Sequence, residues 1–152
     1  MKPIGKQLTI DMYGCAFDDL NNPAFIESVM MAALNEAHLT LLNFVCHRFE
    51  PYGLTALALL SESHMTVHTY PELGYAAIDV FACGEDSRPD KALNVFRSFL
   101  KPEKTKATRL IRGDFGSTQD MKPRIKTSVT PLRRVRNTGA RVLRFLSRNN
   151  RS

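Results

Sequence analysis

The first 115 residues alternate between apolar and polar positions in a way that predicts several strands. Six segments have the length and the alternation that strands require: QLTIDMYG, TLLNFVCHRF, LTALALLS, HMTVHTY, YAAIDVFACG and KATRLIRG. Turn-forming residues or longer helical patterns separate these segments. The chain is therefore predicted to form a sheet of about six strands.

Two stretches between the predicted strands have helical periodicity. The first follows Asn22 and Pro23, whose types suit the N-cap and the first helical position, and its apolar residues recur every three to four positions. The second is predicted to start at Ser87, where Asp90 completes a weak capping-box pattern. The order strand, helix, several strands, helix, strand predicts an α+β fold. We expect a two-layer α/β sandwich, with a mainly antiparallel sheet and two helices on one face.

Length and cysteine usage narrow the class of protein. A chain of 152 residues can bury the core of one domain. It lacks a leader-like start and any apolar stretch that could span a membrane, so we expect a cytoplasmic protein. The three cysteines, Cys15, Cys46 and Cys83, are odd in number and widely spaced. This pattern predicts neither a disulfide framework nor a zinc site.

The net charge of +6 is unevenly distributed along the chain. Residues 1–115 carry 11 basic and 14 acidic residues (11 − 14 = −3), whereas residues 116–152 carry 10 basic residues and one acid (10 − 1 = +9). The stretch RGDFGST between them is rich in turn formers. We therefore predict a domain over residues 1–115 and a basic C-terminal extension over residues 116–152.

The extension is predicted to be mobile or partly helical. Within residues 131–148, apolar and arginine residues separate onto two sides of a helix that Gly139 weakens by about 1 kcal/mol. Three roles stay open: a solvated extension without a partner, docking or a weak electrostatic contact with polyanions, and a dedicated nucleic-acid or membrane-surface role.

Reactive side chains are concentrated in residues 59–84, LLSESHMTVHTYPELGYAAIDVFACG. They are Glu62, Ser63, His64, His68, Asp79 and Cys83. Taken singly, these residues suit a turn, surface strand positions and a small core filler. The two histidines lie in a strand-like run without a third ligand nearby, so no metal site is predicted.

Two nucleophilic roles for Ser63 follow from this segment. A hydrolase triad with His68 and Asp79 lacks the Gly-x-Ser-x-Gly elbow that such enzymes use. In the other role, Ser63 attacks its own chain.

The stretch SESHMTVHTYPELGYAAIDVFACG resembles the signature of the prokaryotic S-adenosylmethionine decarboxylases. These pyruvoyl-dependent proenzymes supply the aminopropyl donor for spermidine and other polyamines. The resemblance covers roughly residues 4 to 115, including MYGC and HRFEPYG, and excludes the extension.

The resemblance implies autocatalytic cleavage between Glu62 and Ser63. Ser63 attacks the Glu62 carbonyl in an N-to-O acyl shift, and a histidine matching His68 then removes the serine α-proton. Elimination releases residues 1–62 and leaves dehydroalanine, which becomes an N-terminal pyruvoyl group. A neutral imidazole suits this proton-acceptor role.

The same resemblance implies the roles of the remaining site residues. The pyruvoyl carbonyl forms a Schiff base with the substrate amine, and Cys83 returns a proton after CO2 leaves. Phe49 matches an aromatic residue that stacks on adenine, Glu72 matches a carboxylate that binds the ribose hydroxyls, and Tyr70 stands where a further aromatic residue is common.

The chain departs from the family pattern at one place, and alternatives to the predicted function stay open. Thr55-Ala56 stands where relatives commonly have Ser-Gly, so the hydroxyl that supports processing is kept on a stiffer side chain. The family includes decarboxylases of arginine or ornithine, and an unprocessed regulatory homologue is a further alternative. A half-size domain of this family also implies a homodimer or a higher homo-oligomer.

Overall fold

The computed structural model describes residues 3–114 and residue 116. In this part of the chain it contains six strands, three α-helices and one 3-10 turn. The elements are β1 (Gly5–Tyr13), α1 (Phe17–Leu20), α2 (Pro23–Glu36), β2 (Leu41–Arg48), β3 (Leu54–Leu60), β4 (Ser63–Tyr70), the 3-10 turn (Pro71–Leu73), β5 (Tyr75–Cys83), α3 (Pro89–Leu100) and β6 (Lys104–Arg112).

The six strands form one antiparallel sheet. Their order is β2-β3-β4-β5-β1-β6, so β1 lies between β5 and β6 while β2 to β5 follow one another as a meander. The expected α+β architecture is confirmed. The basic extension that we predicted over residues 116–152 lies outside the described residues, except for Gly116.

The core lies between the helices and one face of the sheet. Alternate residues of β3, from Leu54 to Leu60, are buried, as are Met65 and Val67 of β4. The buried faces of α2 and α3 complete this core. The opposite face of the sheet, which we call the open face, carries the partly exposed residues of each strand. On the three strands beside the candidate site these are Thr55, Leu57, Leu59, His64, Thr66, His68, Tyr70, Tyr75, Ala77, Asp79, Phe81 and Cys83.

The helix ends test the predicted caps. The Asn22 side chain accepts a hydrogen bond from the Phe25 N–H at 3.1 Å, and α2 begins at Pro23 as predicted. The predicted start of the second helix at Ser87 is wrong, because α3 begins at Pro89. Ser87 instead donates its hydroxyl to the Gly84 carbonyl at 2.9 Å in the preceding turn. Proline disfavours helical geometry at the residue before it, which fixes the later start.

Two short elements were not predicted, namely α1 and the 3-10 turn. Each is too short to display a periodic apolar pattern. Among the described residues, no helix combines the length and the apolar character needed to cross a membrane.

Candidate active site

Ser63 lies at the end of a tight hairpin between β3 and β4. Leu60 pairs with Ser63, so only Ser61 and Glu62 form the turn. The φ angle of Ser63 is 147°, in a region that residues with a side chain rarely adopt. Such a backbone conformation costs on the order of 1–3 kcal/mol. The peptide unit that joins Glu62 to Ser63 is therefore held under local strain.

Thr40, which precedes β2, holds the Glu62 side chain in place. Its N–H donates to Glu62 Oε2 at 2.9 Å and its hydroxyl donates to Oε1 at 3.0 Å. Desolvation acts to raise the pKa of Glu62, but the hydrogen bonds from the Thr40 and Glu62 backbone and from the Thr40 hydroxyl lower the pKa overall. The contact is thus fully present above the ordinary pKa of a glutamate and is lost as the pH falls through the lowered value. At neutral pH the carboxylate is ionised and fixed.

The backbone of β5 holds the carbonyl group of the same residue. The Cys83 N–H donates to the Glu62 carbonyl oxygen at 2.9 Å. A donor in this position polarises the carbonyl and stabilises the negative charge that develops on its oxygen when a nucleophile attacks. The arrangement favours acyl transfer at the Glu62 carbonyl.

The Ser63 hydroxyl and an imidazole are in direct contact. Ser63 Oγ lies 2.9 Å from His64 Nδ1. The His64 ring lies against Phe81, with ring centroids 5.8 Å apart. The nucleophile predicted from the sequence therefore has a histidine partner, although that partner is not the predicted His68.

A glycine in β1 makes room for the Cys83 thiol. A Cβ atom added at Gly5 would lie 3.2 Å from Cys83 Sγ and 2.6 Å from the ring of Phe81. The Arg112 guanidinium lies over the Phe81 ring, 5.4 Å from its centroid. Glu62, Ser63, His64, Phe81 and Cys83 thus form one group, which we call the Ser63 end.

Cys83 also differs from the other two cysteines in its environment. Burial, and then the charge of Asp19, raise the pKa of Cys15 to about 11. Burial, and then Glu27, raise the pKa of Cys46. Only Cys83 belongs to the open face, next to the Glu62 carbonyl.

The remaining predicted site residues gather at the other end of β4, which we call the His68 end. The Thr55 hydroxyl contacts His68 Nδ1. The His68 ring centroid lies 5.8 Å from that of Phe49 and 4.6 Å from that of Tyr70. Glu72 follows in the 3-10 turn and is exposed. Thr55, Phe49 and Tyr70 therefore contact His68, and Glu72 lies two residues beyond Tyr70 at the same end of β4.

A tyrosine and an aspartate extend this second group. The Tyr75 ring stacks on Tyr70 at 5.7 Å, and the Tyr75 hydroxyl donates to Asp11 Oδ1 at 2.6 Å. The hydrogen bond to Asp11, followed by desolvation, raises the pKa of Tyr75 to about 12. The Tyr75 hydroxyl consequently stays protonated at neutral pH. The His68 end therefore presents aromatic rings, one of which is hydrogen-bonded to the Asp11 carboxylate.

The structure does not bring Ser63 and His68 together within one chain. Ser63 pairs with Ala82, whereas His68 pairs with Ala77, which lies five residues earlier in β5. At about 3.3 Å per residue, their Cα atoms lie roughly 16 Å apart. The hydrolase triad of Ser63, His68 and Asp79 is therefore wrong as an arrangement within one chain.

Three contacts of the Ser63 end were missed by the sequence analysis. His64 was taken for a surface strand residue, and neither Thr40 nor the Cys83 N–H was considered. The tight β3–β4 hairpin, with His64 directly after the nucleophile, was an available signal for the first. The other two join residues about 20 positions apart, and no local pattern predicts them.

Comparison with known proteins gives consistent matches. The family model described as S-adenosylmethionine decarboxylase matches residues 6–113. The chain is 42% identical over 113 residues to the S-adenosylmethionine decarboxylase proenzyme of Methanococcus maripaludis strain S2, covering 74% of this chain and 93% of that protein. It is 46% identical over 97 residues to the proenzyme of the same name from Prochlorococcus marinus strain MIT 9313, covering 64% and 78%.

Solved structures show the same fold. The crystal structure of the adenosylmethionine decarboxylase from Aquifex aeolicus VF5 superposes with a TM-score of 0.70 at 31% identity, covering 74% of this chain and 93% of that chain. The Trypanosoma brucei AdoMetDC-delta26 monomer matches with a TM-score of 0.50 at 16% identity, covering 67% of this chain and 44% of that one.

Proposed function

The chain belongs to the S-adenosylmethionine decarboxylase family, and from this premise we propose that it is a self-processing decarboxylase that converts S-adenosylmethionine to S-adenosylmethioninamine and CO2. The family expected from the sequence is confirmed. The product is the aminopropyl donor for spermidine synthesis, and we propose a cytoplasmic location for this step.

One observation carries the proposal, namely that the peptide bond between Glu62 and Ser63 is both polarised and strained. The Glu62 carbonyl oxygen accepts a hydrogen bond from the Cys83 N–H, and Ser63 has a φ angle of 147°. Attack by Ser63 Oγ on this carbonyl converts the strained peptide into an ester and relieves the constraint at Ser63. These features fit the formation of a pyruvoyl group at position 63.

A second chain supplies the proton acceptor for the elimination step. We propose a homodimer or a higher homo-oligomer in which the partner subunit's His68 lies beside Ser63. A two-fold axis that pairs the Ser63 end of one chain with the His68 end of the other creates two identical sites. The open face has apolar side chains for such a contact: Val45, Leu57 and Leu59 are 55%, 47% and 54% exposed.

Thr55 prepares His68 for this role. When His68 Nδ1–H donates to the Thr55 hydroxyl, Nε2 is left without a proton and can accept the Ser63 α-proton. We therefore propose that Thr55 has the supporting role that the family resemblance implies, because its hydroxyl contacts His68 Nδ1 despite the added methyl group.

The aromatic residues at the His68 end suit a substrate that carries adenine and a sulfonium centre. Phe49 and Tyr70, both next to His68, offer faces for stacking on adenine and for cation–π attraction worth about 0.5–2 kcal/mol. Glu72 lies at the same end and can accept from two ribose hydroxyls. Once formed, the pyruvoyl group supplies the electron sink for decarboxylation. Cys83 then donates a proton to the substrate carbon from its thiol.

A side-by-side assay of three substrates tests this assignment. We expect CO2 release from carboxyl-labelled S-adenosylmethionine to exceed release from labelled arginine or ornithine by at least about 100-fold, because one lost aromatic or charged contact already costs about tenfold. Faster turnover of either amino acid would contradict the assignment of the substrate. The absence of any turnover by a chain that stays uncleaved would support a regulatory homologue instead.

We propose that residues 1–115 are sufficient for the activity. Every residue with a chemical role lies before Gly84, and β6 ends at Arg112. A chain truncated after Ser117 is therefore expected to cleave itself at an unchanged rate and to retain near-normal decarboxylation, measured by mass spectrometry and CO2 release. Loss of either activity would show that the basic extension belongs to the active fold.

A further inference from the structure

We propose that His64 is a further catalytic residue of self-cleavage, whose Nδ1 accepts the hydroxyl proton of Ser63 during the N-to-O acyl shift. The inference rests on the proposed cleavage between Glu62 and Ser63. It adds a second histidine to the reaction, with a different proton to move from the one assigned to His68.

The geometry within one chain favours His64 over the other candidate bases. Its Nδ1 lies 2.9 Å from Ser63 Oγ, within the distance required for direct proton transfer. Both oxygens of the Glu62 carboxylate are occupied by Thr40, so the neighbouring acid is already engaged. His68 lies about 16 Å further along β4.

The environment of the ring suits the required tautomer. His64 is exposed, so Nε2 can carry the ring proton and donate it to water, which leaves the Nδ1 lone pair for the Ser63 hydroxyl. Packing against Phe81 orients the imidazole from the neighbouring strand. The hydroxyl hydrogen then points from Oγ to Nδ1, and a lone pair of Oγ is left for the attack.

The proton balance closes without an added reagent. As the bond between Ser63 Oγ and the Glu62 carbonyl carbon forms, the hydroxyl proton moves to His64 Nδ1, and the Cys83 N–H stabilises the resulting oxyanion. The carbon–nitrogen bond then breaks, and the Ser63 nitrogen takes the proton from His64. The products are an ester and a free amine, and the imidazole is again neutral.

Two histidines therefore divide the reaction. His64 serves the reversible acyl shift, and the partner subunit's His68 serves the irreversible elimination. This division predicts that the two variants stop at different chemical stages. A His68 variant accumulates the ester, whereas a His64 variant accumulates the unrearranged peptide.

The test follows full-length chains after synthesis in vitro, with cleavage measured by denaturing mass spectrometry. We expect His64→Ala to cleave about 100-fold more slowly than the wild type, the lower end of the usual effect of general acid–base catalysis. Added imidazole should accelerate this variant, because the exposed site admits a free base. His64→Asn should be equally slow, since its amide oxygen can accept a hydrogen bond but cannot take up a proton, and imidazole should accelerate it less than His64→Ala because the amide fills part of the space beside Ser63.

Hydroxylamine locates the blocked step. It should cleave His68→Ala between residues 62 and 63 through the accumulated ester, and should cleave the His64→Ala/His68→Ala chain about 100-fold more slowly, because that chain forms the ester at the reduced rate. His38→Asn is the matched control, an exposed histidine whose φ of 55° suits asparagine, and it should cleave as the wild type does. Wild-type rates in His64→Ala or His64→Asn would overturn the role of His64. An uncleaved wild-type chain would instead overturn the proposed function.

Discussion

A Ser63→Ala chain is expected to remain a single polypeptide of 152 residues, whereas the wild type separates into residues 1–62 and residues 63–152. The methyl group of alanine cannot attack the Glu62 carbonyl, so neither the ester nor the elimination can follow. The effect should be complete rather than partial, because an N-to-O shift at the Glu62 carbonyl requires a hydroxyl on the residue that directly follows it, and that residue is Ser63. Intact-mass measurement under denaturing conditions detects the difference directly.

Ser61→Ala provides the matched control for this prediction. Ser61 lies in the same two-residue turn. Its backbone N–H donates a hydrogen bond to the Thr40 carbonyl oxygen at 3.0 Å, and alanine retains this hydrogen bond. This variant should cleave like the wild type. The larger fragment should also weigh less than the simple hydrolysis product by one ammonia, because serine has become a pyruvoyl group. A wild-type chain that decarboxylates while still intact would contradict the mechanism.

The architecture was predictable because the strands and the long helix carry strong periodic signals. One face of β3, from Leu54 to Leu60, is buried at every second position, and this alternation is visible in the sequence. Asn22 and Pro23 likewise marked the start of α2 correctly. The start of α3 was misjudged because Ser87 has the right type for a cap, but its hydroxyl is used by the turn before the helix.

The candidate site was predictable in its residue types but not in its spatial arrangement. Ser63, His68 and Cys83 stand close together in the sequence, which suggests one compact site. The β4–β5 register instead places Cys83 in the Ser63 end and His68 at the other end of β4. Contacts such as that between Thr40 and Glu62 depend on how β2 lies beside the hairpin, so they follow from the fold rather than from any local pattern.

The proposed pairing of the two ends across a homodimer has its largest measurable consequence in mixed dimers. Ser63→Ala and His68→Ala chains are each expected to be uncleaved when expressed alone, because every site then lacks either the nucleophile or the proton acceptor. When the two are expressed together, one site of the mixed dimer contains both substitutions. The other site combines Ser63 of the His68→Ala chain with the intact His68 of its partner, and this site is complete.

Co-expression should therefore restore cleavage, and only in the chain that carries His68→Ala. Mass spectrometry identifies that chain, because its larger fragment contains alanine at position 68. With random pairing about half of the dimers are mixed, so roughly half of the His68→Ala chains should be cleaved. Pairing His68→Ala with a Ser63→Ala/His68→Ala chain removes the last complete site and should abolish the effect. If Ser63 and His68 acted within one chain, no combination of the single variants would restore cleavage, since each variant chain lacks one of the two residues.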